Sequence, residues 1–418
     1  MSGLSKFAAK RVGTLNQFYT RSQVGQLLAD QLEDIEPTRV LDLGSGGGSL
    51  SAAVAGLWPT ADFVTVDIDP ANTDPVNAAL AGMRHQHHLG DVLSPIVETL
   101  PGFGQFDLAV CNPPFYRTDW RDGHAEILRG ADLEDVARAT ELTGELLFLA
   151  QNLRALRDGG VLGLIAPDNI FSARRHAPLR RALLERHAVE TVIQLPNNAF
   201  RDTDAFCMIA IIRKNSGPTK QVQLLQYDRR EGLSQPFLYK PDDGENRLDY
   251  DFQAHPHLRK EGGVTLRQFG ADIRRGSLNS VTVKLADFQT FHTTDYGDQL
   301  LRFTGDVPAD PTLVIAEPGD ILVARIDRHF YNKVAFVEAG RAALTDCVYR
   351  VRLPHYVQRA AFEAIRSPEG VAAMKATSKG VSARLLGKAD FLDLPLHDEA
   401  LVKLAQKIPA AGVEMQLF

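Results

Sequence analysis

The sequence predicts an α/β fold over its first half and a mixed α+β second half. Three observations carry that expectation. From Arg39 onward, short apolar runs alternate with stretches whose apolar residues recur at helical spacing. Four of those runs in succession end in glycine or polar residues, which is where open α/β sheets place ligands. Beyond Ser216-Gly217-Pro218 the texture changes to short strands set between Pro-Gly and Asp turns.

In order along the chain, Thr14 to Gln31 reads as a loop leading into a helix, with Val24, Leu27, Leu28 and Leu32 at helical spacing. Arg39 to Leu43 is a strand, Gly44-Ser45-Gly46-Gly47-Gly48 a glycine loop, and the Ala-rich stretch to Leu57 a helix. Glycines there let the backbone approach a ligand, and a helix N-terminus supplies free N–H groups. The spacing is not the Gly-x-Gly-x-x-Gly dinucleotide pattern. Phe63 to Val66 ends in Asp67-Ile68-Asp69-Pro70, an acidic strand end about 20 residues past the glycines and suited to ribose hydroxyls. A third element ends in His88-Leu89-Gly90-Asp91-Val92 and a fourth in Asn112-Pro113-Pro114-Phe115. Taken singly, the glycine turn also fits tight packing, and Asp67 or Asp91 also fits a helix N-cap. His85, His87 and His88 read as a solvated loop, and no metal site is expected.

Asn112-Pro113-Pro114-Phe115 carries chemistry of its own. Two prolines donate no backbone N–H, and each residue before a proline is pushed towards extended geometry. The strand end therefore presents acceptors, the Asn112 amide oxygen and the Pro113 carbonyl, with the Phe115 ring two residues on. A planar ring bearing an –NH2 group suits it, and adenine is such a group. Holding both amine hydrogens with out-of-plane acceptors localises a lone pair otherwise delocalised into the ring. By itself the same tetrapeptide also fits a plain turn.

Leu146 to Leu156 is expected to be a helix, Asp158 to Pro167 a turn and buried strand, and Arg174 to His187 a basic helix. Thr191 to Phe200 follows, and Phe206 to Arg213 is the strand expected to close a domain of residues 1–215, leaving 216–418 as the second. The length, 418 residues, suffices for such cores. A net charge of −6 means that any nucleic-acid surface is a local patch. No run of about 20 apolar residues suggests a membrane span. The first residues show no secretory pattern, and the three cysteines lie far apart in apolar runs. The expectation is a cytoplasmic chain with reduced, mostly buried thiols.

The ordered set resembles the gamma class of S-adenosylmethionine-dependent adenine-N6 DNA methyltransferases, the group of type I modification subunits and single-chain type II enzymes. The matching residues are Phe18-Tyr19-Thr20, Asp42 to Gly48, Asp67, Asp91 and Asn112 to Phe115, with Arg21 standing where a proline is usual. The stretch from Gly159-Gly160 through Leu195-Pro196 and Phe200 to Ile212-Arg213-Lys214 mirrors the ending of that domain. The resemblance implies a Rossmann-like class I methyltransferase domain with S-adenosyl-L-methionine as cofactor. It implies that Thr20 and the loop from Gly44 to Gly48, with Ser45 and Gly46, hold the methionine part, Asp67 the ribose hydroxyls and Asp91 the adenine amine, with Tyr19, Asp42, Ile68 and Val92 also lining the cofactor site. It further implies that Asn112, Pro113, Pro114 and Phe115 hold the target amine, with Phe200 as a second aromatic on the base. A plain core phenylalanine is the alternative for Phe200.

In the second half, Pro318-Gly319-Asp320-Ile321-Leu322-Val323, Lys333 to Val337 and Leu392 to Leu396 resemble the target-recognition domains of type I specificity subunits. Two basic clusters, Arg325, Arg328, Lys333 and Lys375, Lys379, Arg384, Lys388, suit phosphate contact and equally suit a solvated face. The resemblance implies double-stranded DNA as partner, within a restriction-modification or related host-defence system. A separate nuclease or specificity subunit, and monomer or homodimer, are left open. Methylation of adenine or guanine in RNA, cytosine-N4 chemistry and a binding module with a vestigial cofactor site are the alternatives.

Overall fold

In a computed structural model of the chain, the described residues are 22–139, 142–196, 199–200, 206–242, 246–254, 263–327, 329–377 and 384–406. Two compact units divide at Gln253/Ala254.

The first unit contains α1 (Ser22–Asp30), β1 (Arg39–Leu43), α2 (Ser49–Ala55), β2 (Asp62–Asp67), α3 (Thr73–Ala79), β3 (Arg84–Leu89) and β4 (Phe106–Cys111). It continues with α4 (His124–Gly130), α5 (Glu134–Ala139), α6 (Gly144–Ala155), β5 (Leu156–Pro167), α7 (Asp168–Ser172) and α8 (Ala177–Arg186). Then come β6 (Ala188–Gln194), β7 (Cys207–Arg213), β8 (Val222–Asp228), β9 (Gly232–Leu233), β10 (Phe237–Tyr239) and α9 (Tyr250–Gln253). One sheet runs β10-β8-β6-β7-β5-β4-β1-β2-β3, with β9 on β8. β1 to β5 are parallel, and β7 lies antiparallel between β5 and β6.

Burial explains why these runs are strands. β1, β4, β5 and β7 are buried almost throughout because helices cover both faces, so their sequences are continuous apolar runs and do not alternate. α6 is buried on nearly every side, which accounts for Leu146, Leu147, Phe148 and Leu149 in succession. α1 crosses β5 closely, because Gly163 leaves room for Leu28.

The expected boundary at residue 215 lies inside this unit. β7 does not close it: β8 pairs parallel with β6, and β10 pairs with β8. Arg180, fully buried, donates to the Asn246 carbonyl at 2.9 Å, and Gln194 donates to Asp251 at 2.6 Å, so the chain is held to the sheet as far as α9. The expected basic helix is a 3-10 turn, Arg174–His176, followed by α8, which starts with a proline in its first turn.

The second unit holds β11 (Asp272–Arg275), α10 (Ser280–Leu285), β12 (Thr290–Phe291), β13 (Leu300–Arg302), β14 (Ile315–Ala316), β15 (Ile321–Ala324), β16 (Ile326–Asp327), β17 (Val334–Ala339), β18 (Ala342–Leu344) and β19 (Val348–Arg352). α11 (His355–Arg366), α12 (Pro368–Thr377), β20 (Arg384–Leu385), α13 (Lys388–Leu392) and α14 (Glu399–Ala405) follow. The sheets run β11-β19-β15-β17-β13, β12-β18-β14 and β16-β20. α11 buries Val357, Ala361, Phe362 and Ile365 against the core and turns its charged residues outward. Segments far apart in sequence meet in this unit: Val264 bridges Leu396, and Arg267 pairs with Asp393 at 2.6 Å. The late Leu392 to Leu396 segment thus completes the core.

Candidate active site

The parallel strands β4, β1, β2 and β3 are neighbours, so their polar C-terminal ends fall along one edge of the sheet. That edge brings together the glycine loop, Asp67, Asp91 and Asn112.

The glycine loop owes its shape to left-handed backbone. Gly44 has φ 77° and Gly48 φ 79°. A Cβ at Gly44 would lie 2.9 Å from the Phe148 ring, and one at Gly48 2.8 Å from Val76. Only glycine meets both demands. Asp67, 4 % exposed, holds the loop closed: its Oδ2 accepts from the Gly46 amide at 2.7 Å. Its Oδ1 accepts from the Asp69 amide at 2.9 Å and from Asn72 Nδ2 at 3.0 Å. The capping residue of the turn after β2 is Asp69, whose carboxylate accepts from the Ala71 amide, so Asp67 is not an N-cap. Ile68 beside it is 49 % exposed, an apolar side chain facing outwards next to a buried carboxylate.

Asp42 is 2 % exposed and accepts from Ser51 Oγ at 2.5 Å, beneath the loop. Burial pushes its carboxyl up to about 7, against the Ser51 hydrogen bond, which lowers it. It lies under the glycine loop, hydrogen-bonded to Ser51 of α2. Ser45 is buried, and its Oγ has no hydrogen-bond partner among the described residues. Asp91 is exposed, and its Oδ1 accepts from the Leu93 amide at 2.9 Å; the 3-10 turn that follows is capped by Ser94, so Asp91 is not an N-cap. Val92 is buried, and its carbonyl accepts from Gln151.

The β4 end is tied to β1 by the Cys111 thiol, which donates to the Leu43 carbonyl at 3.4 Å. Asn112, Pro114 and Phe115 are half-buried and Pro113 buried, with no cis peptide among the described residues. The segment beyond is pinned to the start of α6. Gly144 N donates to Tyr116 O at 2.9 Å, Arg117 bridges Thr143, and a side chain at 144 would collide with the Tyr116 ring. Glu145 in the same helical turn is 5 % exposed, and burial raises its carboxyl. Gly144 and Phe148 were not legible as site residues. A glycine opening a helix was the one signal available for the first, and Phe148 had none.

Other expectations change. His85, His87 and His88 lie on β3, an edge strand and not a loop. His85 Nε2 and His87 Nδ1 both hydrogen-bond Thr65 Oγ1, at 2.8 and 2.9 Å. No metal-ligand group occurs among the described residues. Phe200 is 2 % exposed, packed inside the core. Cys347 is only partly buried, beside Asp346. Tyr19 and Thr20 lie outside the described residues.

In the second unit, Arg325 Nε donates to the Asp346 carbonyl at 2.8 Å, and Lys333 Nζ is held by Asp327 and the Thr293 carbonyl. Both are engaged within the protein. Lys388 is exposed, and Lys375 Nζ sits 4.3 Å from the Tyr331 ring centre. Lys379 and Arg328 lie outside the described residues. Arg384 is placed only by its backbone, paired with Asp327. That pairing joins the two basic segments, which the sequence kept some 50 positions apart.

A sheet ordered β6-β7-β5-β4-β1-β2-β3 with β7 reversed, and a glycine loop after β1, defines the class I methyltransferase fold. Residues 3–237 match the family model described as N-6 DNA Methylase, and the chain belongs to that family. It is 23 % identical over 199 residues to the Type II methyltransferase M.CvrRI of Paramecium bursaria Chlorella virus XZ-6E, covering 48 % of each chain. It is 28 % identical over 156 residues to a tRNA1(Val) (adenine(37)-N6)-methyltransferase of Porphyromonas gingivalis, covering 36 % of this chain and 58 % of that one. The chain thus spans about half the length of the curated relatives it matches. Among solved structures, the type IIG restriction endonuclease BpuSI aligns with 95 % of this chain and 61 % of its own, at TM-score 0.53 and 12 % identity, a likeness of fold. Among the described residues no helix is long and apolar enough to cross a membrane.

Proposed function

We propose that this chain transfers a methyl group from S-adenosyl-L-methionine to the N6 amine of adenine in double-stranded DNA. The observation that carries the reading is the placement of Asn112-Pro113 on the sheet edge that also holds the glycine loop, Asp67 and Asp91. The loop fits the proposed cofactor. Its glycines leave the space that any Cβ would fill, Ser45 Oγ is a buried polar atom without a hydrogen-bond partner among the described residues, and Ile68 offers an apolar face beside Asp67.

When bound, the cofactor supplies an electrophilic methyl on a sulfonium whose leaving group is a neutral thioether, so the protein need provide no covalent nucleophile. Gly44, Ser45 and Gly46 hold its methionine part, Asp67 its ribose hydroxyls, and Asp91 and Val92 its purine. Asn112 Oδ1 and the Pro113 carbonyl accept from the target amine, and Pro114 keeps the loop stiff. Phe115 stacks on the ring. Alignment of amine and methyl is the principal contribution of these residues to the rate. An adenine in a duplex reaches them only by extrusion, at a cost of a few kcal/mol.

The second unit reads DNA sequence, with Lys375 and Lys388 among its phosphate contacts. The Type II methyltransferase relative supports a role in restriction-modification, with a nuclease or specificity subunit as partner. The tRNA-modifying relative favours a second reading, adenine in RNA. The test is nucleoside analysis after incubation of cofactor with duplex DNA and, separately, total RNA. N6-methyladenine in DNA alone supports the first reading, and label in RNA alone replaces it with the second.

A further inference from the structure

In the second unit, the segment of residues 329–333 that leads into β17 is tied to the core at several points. Phe330, fully buried, anchors it in the core. Asp327 fastens it at both ends: Oδ1 accepts from the His329 amide at 2.8 Å, and Oδ2 pairs with Lys333 Nζ at 2.6 Å. Lys333 Nζ also donates to the Thr293 carbonyl at 2.9 Å, which ties the loop to a second segment. Phe330 opens a short 3-10 turn, Phe330–Asn332, with His329 at its N-terminal boundary and Tyr331 inside it. His329 is exposed, and Tyr331 is partly exposed.

Those two side chains meet. The Tyr331 hydroxyl lies 3.3 Å from His329 Nδ1, and the rings stand edge to face at 87° with centres 6.2 Å apart. Lys375, from α12, places its ammonium over the Tyr331 ring at 4.3 Å. In the tautomer in which the phenol donates to Nδ1, the imidazole hydrogen is on Nε2, which is then a donor.

We propose that His329 and Tyr331 form a base-reading pair: His329 Nε2 donates to the N7 or O6 edge of a purine in the major groove, and Tyr331 sets its tautomer and angle. Three properties argue for this pair as a determinant of sequence and not of bulk affinity. Its groups hydrogen-bond directionally, which suits base edges, whereas phosphate oxygens are met by ammonium groups such as that of Lys375 beside it. It stands beside a buried anchor, Phe330, and two ties from Asp327, an arrangement that lowers the order lost on contact. It lies beside Lys375 and the β16–β20 ribbon, where the two basic segments converge.

The proposal rests on the DNA reading above, and the experiment separates the two. Methylated positions are mapped in a pool of duplexes for the wild type, His329→Ala, Tyr331→Phe and Lys388→Ala, with cofactor affinity and thermal unfolding measured in parallel. The expected result is that His329→Ala loses at least tenfold of the wild-type preference at one purine position. Tyr331→Phe, which keeps the ring, loses part of the same preference at the same position. Lys388→Ala weakens all sequences alike. If both loop variants fold and keep the wild-type preference within twofold, or if Lys388→Ala shifts the preferred sequence as much as they do, the proposal is overturned. A wild-type chain that binds cofactor yet methylates no duplex would instead overturn the DNA reading, and this pair's role with it.

Discussion

The Asp67 carboxylate is the keystone of the ligand loop, and Asp67→Asn tests that directly. The carboxylate accepts three hydrogen bonds: from the Gly46 amide at 2.7 Å, the Asp69 amide at 2.9 Å and Asn72 Nδ2 at 3.0 Å. An amide has one acceptor oxygen. Turned to keep Asp69 and Asn72, it sets an N–H against the Gly46 N–H; turned the other way, it loses both partners on the β2 side. The milder choice forfeits one hydrogen bond to a charged acceptor, roughly 1.5–3 kcal/mol. Most of that loss falls on the loop's closed state, and a fall in the fraction of competent loop raises the apparent Kd in proportion. S-adenosyl-L-methionine binding, followed by calorimetry, should weaken about 10- to 100-fold. Urea unfolding of the same variant should show the first unit still cooperative. Unchanged cofactor affinity in a folded Asp67→Asn chain would refute the reasoning, as would a loss matched by an equal loss of global stability.

Other perturbations reach other parts of the molecule. Asp42 has its folded pKa raised to about 7 by burial, so between the unfolded value near 4 and that pH the native state keeps a proton the unfolded chain has lost. Stability from this group is therefore full at low pH, declines as pH rises through that window and is flat above it. Asp42→Asn should flatten the slope, with a gain of up to roughly 4 kcal/mol at neutral pH, measured by urea unfolding at pH 5 and pH 8. Gly44→Ala puts a Cβ 2.9 Å from the Phe148 ring on left-handed backbone. It should lower cofactor affinity at least tenfold by calorimetry, with Gly104→Ala, a left-handed glycine in open space, leaving affinity unchanged. Arg352 pairs with the buried Asp320 at 2.8 Å, so Arg352→Ala leaves a buried carboxylate uncompensated, at a cost of about 2–3 kcal/mol. The second unit should unfold earlier in calorimetry while cofactor binding by the first is retained.

Much of the first unit was legible because its signals are local. Strands β1, β2 and β4 lie in one covered sheet, so each is a short apolar run, and each ends where a ligand loop must turn polar or glycine-rich. The extension past Arg213 was not legible. β8 pairs with β6, about 30 residues earlier in sequence, and the Arg180 contact that fastens the following segment joins residues 66 positions apart. Burial decided Phe200 and Asp42, and nothing in a sequence pattern distinguishes an aromatic that lines a pocket from one that fills a core. The two basic segments of the second unit looked alike in sequence. Pairing of β16 with β20 brings them together, while Asp327 and the Asp346 carbonyl engage Lys333 and Arg325 within the fold.

The account stands or falls on Asn112. The measurement is transfer of tritiated methyl from S-adenosyl-L-methionine to mixed-sequence duplex DNA by the wild type and by Asn112→Ala, with cofactor affinity titrated for both. The account predicts label recovered as N6-methyladenine for the wild type and none for the variant, at closely similar cofactor affinity. Persistent transfer by Asn112→Ala, or loss of cofactor binding as the only defect, would contradict it.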